Sequence, residues 1–99
     1  MSNRVTDKVQ KAVDMILSST DRTIYVEIGL YRTEYPLAWK ALNELEIFDI
    51  SNIYIKLMVD DTYCKLIIGA GNLTTEEKVL EYLEKTGYNT YPKKGVCKN

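Results

Sequence analysis

Residues 52–68 read NIYIKLMVDDTYCKLII. Ile53, Ile55, Leu57 and Val59 alternate with larger polar or mixed residues, and the period changes phase across Asp60-Asp61. Beyond it, Thr62, Cys64, Leu66 and Ile68 form the inward set. Period-two alternation is the mark of a half-buried strand, so the stretch reads as a β-hairpin. A two-residue turn at Asp60-Asp61 pairs Val59 with Thr62, Leu57 with Cys64, Ile55 with Leu66 and Ile53 with Ile68. A slip of one residue would turn one strand's apolar set outward, so the facing is well specified. The same register sets Lys56 directly opposite Lys65, a mildly unfavourable pair.

Working outward, Thr23–Tyr31 alternates in the same way, with Ile24, Val26, Ile28 and Leu30 on one face. Pro36 then opens a helix whose buried stripe is Ala38, Ala41, Leu42 and Leu45. Before these elements, Val5, Val9, Ala12, Val13, Ile16 and Leu17 recur at helical spacing over residues 4–18. After the hairpin, Thr74 with Glu77 forms a capping-box pattern, and Val79, Leu80 and Leu83 give that helix its stripe. Gly87 suits a helix C-cap, and residues 88–92 (YNTYP) read as a short final edge strand, since Pro92 cannot sit in a sheet interior.

The order is helix, then β-α-β-β-α-β. It predicts an α+β fold, a ferredoxin-like βαββαβ split sheet with an additional N-terminal helix. In that pattern the first and third strands are central and the second and fourth lie at the edges. One domain spans residues 1–99, divided into the helix (1–20), the core (22–92) and a basic tail (93–99).

Between the third strand and the last helix lies Gly69-Ala70-Gly71-Asn72-Leu73-Thr74. A strand followed by Gly-x-Gly and a helix is how phosphate loops begin. The dinucleotide pattern needs a third small residue and an acid about 20 residues on, and both are missing. The expected role is a sharp connection, with positive φ at the glycines and Thr74 as the cap. Glu76 and Glu77 would repel a phosphate there.

The chain contains no histidine, which excludes a Ser-His-Asp triad and an imidazole proton shuttle. No catalytic residues, cofactor or metal are expected, and Asp60-Asp61 reads as a turn. The two cysteines are too few for a disulfide framework. Cys64 reads as a core residue, and Cys97 as a free thiol or an interchain partner. Trp39 reads as packing. Asp7 and Asp14 interrupt the first apolar pattern, so no signal peptide is read, and no run approaches a membrane span. A cytoplasmic location is expected. Net charge is −1, but residues 23–84 carry −6 and residues 85–99 carry +4. The body should repel nucleic acid and the tail attract it.

With helices over one sheet face, the other face carries Tyr25, Glu27, Tyr31, Tyr54, Lys56, Met58, Tyr63, Lys65 and Ile67. Tyrosines interleaved with lysines on such a face suit single-strand nucleic acid. Ile24–Leu30 (IYVEIGL) resembles the first-strand signature of the RNA recognition motif family, with Tyr25 at the base-stacking position. Ile28 departs from it, and Asp61–Ile68 offers Tyr63 alone, with Lys65 where a second aromatic belongs. The same residues suit a protein interface. Glu27 could neutralise Lys65, and the face could be covered by the N-terminal helix of the same or another subunit. Tyr25, Tyr54, Lys56, Met58, Tyr63, Lys65 and Ile67 are therefore the candidate binding residues. The expected activity is non-enzymatic: self-association as a homodimer and binding of a host or viral protein, with weak nucleic-acid binding as the alternative and an enzyme of unknown type as the third reading.

One Gln, nine Ile and eight Tyr without His make the composition similar to that of small proteins from viruses of hyperthermophilic archaea. That resemblance implies a compact, thermostable accessory protein in the host cytoplasm.

Overall fold

Val5, Val9, Ala12, Val13 and Ile16 are the buried side of helix α1, Arg4–Ser18. Leu17 falls off this stripe and is 49% exposed. The computed structural model describes residues 4–59, 63–86 and 97–98. After α1 come strand β1 (Tyr25–Tyr31), a 3-10 turn (Arg32–Glu34) and helix α2 (Tyr35–Glu44). A second 3-10 turn (Ile47–Asp49) leads to strands β2 (Ile53–Val59) and β3 (Tyr63–Ala70). Helix α3 (Leu73–Lys85) and the short strand β4 (Cys97–Lys98) complete the order.

The fold is α+β, and its centre is a split βαβ unit. β3 lies between β1 and β2 and is antiparallel to both. β1 and β2 are therefore parallel to each other, joined by the α2 crossover. The full order is β1-β3-β2-β4. β4 pairs with the far side of β2, so among the described strands β1 lies at the edge rather than in the centre. The expected final strand at 88–92, the Gly87 cap and the Asp60-Asp61 turn lie outside the described residues. Within the expected basic tail, Cys97 and Lys98 belong to the sheet.

The register of β2 on β3 differs from the expected one. Val59 pairs with Cys64, Leu57 with Leu66, Ile55 with Ile68 and Ile53 with Ala70. The shift is two residues along β3, which leaves every side chain on its expected face. It also separates the two lysines: Lys56 now faces Ile67, and Lys65 faces Met58.

The larger core joins α1 and α2 to one sheet face. Val9, Ala38, Ala41, Leu42, Leu57, Leu66 and Ile68 lie at its centre. Burying Val5, Val9, Val13 and Ile16 contributes on the order of 5–10 kcal/mol, enough to hold α1 against its own chain. Trp39 packs at the rim, its ring centre 5.4 Å from that of Phe48. α2 ends where Glu46 takes the left-handed conformation, φ 54° and ψ 35°. There the Leu45 N–H donates to Ala41 O and the Glu46 N–H to Asn43 O.

α3 crosses to the other face. Val79 and Leu83 pack on Tyr54, Met58 and Ile67, with Tyr25 and Tyr82 alongside. The expectation of helices over a single face is thus corrected: the sheet is sandwiched, and β2 is buried on both sides. Leu80, expected in the stripe of α3, is 37% exposed because its position on the helix points away from the sheet. Among the described residues, no helix is long and apolar enough to cross a membrane.

Candidate functional site

The glycine loop is a connector, for a reason different from the expected one. Neither Gly69 nor Gly71 lies in the left-handed region that favours glycine. Gly71 is required by close approach: a Cβ there would lie 2.6 Å from the Asn52 carbonyl carbon and 2.7 Å from the Ile53 nitrogen. At Gly69 a Cβ would lie 2.9 Å from the Thr75 methyl and from Tyr25 Cβ. The helix cap is Asn72, not Thr74. Asn72 Oδ1 accepts from the Thr75 N–H at 2.8 Å, and Asn72 Nδ2 donates to Arg22 O at 2.7 Å. The Glu76 N–H donates to Asn72 O. The Asn72 amide, which donates to Ala70 O, and the Thr75 amide are thus already used, and the loop is tied to the entrance of β1.

Of the seven candidate residues, four are buried and form no open surface. Tyr54, Lys56, Met58 and Ile67 are 5%, 5%, 7% and 0% exposed. Tyr25 is half-buried, its ring centre 6.0 Å from that of Tyr82 and 6.0 Å from Lys78 Nζ. Lys65 Nζ lies 2.7 Å from Glu27 Oε2, the neutralisation expected from the sequence. The Tyr82 hydroxyl donates to Glu27 Oε1 at 3.1 Å, and this bond to a carboxylate pushes the Tyr82 pKa up. Tyr63 begins β3, and its side chain lies outside the described residues. Bases could stack on Tyr54 only if α3 left the sheet.

Among the described residues, nothing pairs with the outer edge of β1. The Ala70 N–H donates to Ile24 O at 3.0 Å, so residues 24 and 70 form a hydrogen-bonded pair. By the alternation of an antiparallel ladder, Val26, Ile28 and Leu30 also direct their backbone groups at β3. The backbone groups of Tyr25, Glu27, Gly29 and Tyr31 point the other way. Tyr31 is the exception among them, because its N–H donates to Glu34 Oε1 at 2.9 Å. Glu34 is in turn paired with Arg4 at the start of α1. The Tyr31 N–H bond, reinforced by Arg4, holds the Glu34 carboxyl below its usual pKa. The edge therefore has a closed end at Tyr31 and an open run through Glu27 and Gly29.

α1 overhangs this run. Lys8, Lys11, Ala12 and Met15 from α1 and Val26, Glu27, Ile28 and Gly29 from β1 line a groove of about 290 Å³, and the Glu27 carboxylate itself is held by Lys65. A Cβ at Gly29 would meet nothing within 4 Å. Reading the sequence face by face missed this edge, because alternation reports which way side chains point and not which strand is outermost. One local signal existed: Glu34, three residues after Tyr31, is placed to reach back to a strand-end amide.

No family model, no curated protein and no solved structure matches this chain.

Proposed function

We propose that this protein acts by binding another polypeptide, which adds as a strand to the outer edge of β1, and that it performs no chemistry. The observation that carries this reading is the run of outward backbone groups at Tyr25, Glu27 and Gly29 beside a groove. An unpaired edge offers ready-made N–H and C=O partners to an extended segment. The absence of histidine from the whole chain supports binding over catalysis.

The reading moves the interface from the sheet face to the sheet edge. Two apolar surfaces would favour a homodimer if they were exposed: the α1 stripe and the outer sheet face. Both are covered within one chain, the first by α2 and the sheet and the second by α3. Met58 and Ile67 therefore serve the chain's own core, and Met58→Asp or Ile67→Asp would unfold the protein rather than release a partner.

The test is residue-resolved amide exchange with and without extended peptides. Strand addition slows the Glu27 and Gly29 amides in the bound state. Gly29→Pro removes an outward N–H without touching a β3 hydrogen bond, so it should abolish binding. A peptide that binds tightly while leaving both amides unchanged would refute strand addition.

A further inference from the structure

We propose that the strand taken up by β1 is an acidic one: an extended segment with carboxylates on alternate residues, seated under Lys8 and Lys11. The inference rests on the strand-addition reading and names the chemistry of its partner.

Lys8, Lys11 and Met15 stand at i, i+3 and i+7, so they share one flank of α1. That flank is the one beside Val26, Ile28 and Gly29, as the groove they line together shows. A strand added about 4.8 Å beyond β1 would direct every second side chain toward this flank. Those side chains meet two lysines and the half-exposed Met15. Arg4, the next residue on the same flank, is already bound to Glu34. The acid nearest on β1, Glu27, belongs to the odd-numbered set that points at the α3 side, where Lys65 and the Tyr82 hydroxyl hold it. Carboxylates on the α1 side of an added strand therefore face positive charge, and the residues between them point to the opposite face of the sheet.

A second copy of this chain fits the same edge poorly. A two-fold pairing of β1 with β1 would bring two α1 flanks together, with Lys8 and Lys11 of each copy facing the like-charged flank of the other. Lysine beside an open strand is a common guard against such self-pairing. The same guard attracts a strand of opposite charge, so the charges choose the partner.

Two blocked seven-residue peptides test this, one alternating Glu and Val and one alternating Lys and Val, each matching β1 in length. Binding is followed by amide exchange and by fluorescence anisotropy at low and moderate salt. The Glu/Val peptide should bind at least about tenfold more tightly than the Lys/Val peptide, weaken with salt, and slow the Glu27 and Gly29 amides. Lys8→Glu combined with Lys11→Glu, both at exposed positions, should reverse the preference. Equal affinity for the two peptides, with those amides slowed, overturns the acidic partner but leaves strand addition standing. Acidic binding that leaves the amides unchanged overturns both. Light scattering that shows two chains, with the amides slow before any peptide is added, identifies a second copy as the occupant and overturns the proposal.

Discussion

Glu34 accepts the backbone N–H of Tyr31 through Oε1 at 2.9 Å, and this closes one end of a strand edge that is otherwise open among the described residues. The carboxylate belongs to the turn that leads into α2, so the device is local in sequence. Arg4 reaches the same carboxylate from α1 and ties three elements together.

Replacing Glu34 by Ala should cost about 1 kcal/mol near neutral pH, since it leaves the Tyr31 amide to water and Arg4 without its partner. The pH dependence has a definite sign. The folded-state pKa of Glu34 lies below its ordinary value of 4.5. Its contribution is therefore present above that value and is lost as pH falls through the folded pKa. Urea unfolding of both proteins between about pH 6 and pH 2 should show the stability gap closing in acid. A gap that is constant across the range would show that the carboxylate charge plays no part.

Gly71→Ala should be strongly destabilising, by about 2 kcal/mol or more, because the added carbon meets backbone that cannot rotate away. Gly29→Ala places the same carbon in open space and should change stability by less than about 0.5 kcal/mol. Thermal unfolding of the two variants side by side distinguishes them. If both are tolerated equally, the Gly71–Asn52 approach is not what the loop requires. The loop should also show no calorimetric signal with ATP, GTP or NAD below about millimolar Kd.

Much of this architecture is readable from residue spacing. The strand faces at Ile53–Val59 and Cys64–Ile68 follow from period two, and the α1 stripe from period 3.6. The register of the hairpin is not, because a two-residue slip keeps all faces intact. The observed register moves Lys65 away from Lys56, which removes the like-charge pair. Nor does a stripe such as Val79 and Leu83 state which side of the sheet it will cover. The short link at Gly71-Asn72, pinned to Arg22, carries α3 to the side that alternation alone left bare. Tyr54, Lys56, Met58 and Ile67 share a face by alternation, and α3 buries them, which alternation alone does not reveal. The edge of β1 needed the strand order before it could be seen.

Glu46→Gly should raise stability by about 1 kcal/mol. Glu46 is the one residue other than glycine with positive φ among the described residues, and its Cβ strains that conformation. Its side chain is exposed, so little contact is lost. Denaturant midpoints compared with wild type are sufficient, and a lower midpoint for the variant would mean that the Glu46 side chain contributes more than its backbone costs.

Amide exchange along β1 in the free protein tests the open edge most directly. Val26, Ile28 and Leu30 donate to β3 and should exchange slowly, whereas Glu27 and Gly29 should exchange fast, with Tyr31 slowed by Glu34. The alternation should persist on dilution. Glu27 and Gly29 amides as slow as their neighbours at every concentration would mean that the chain covers its own edge, and would contradict the account.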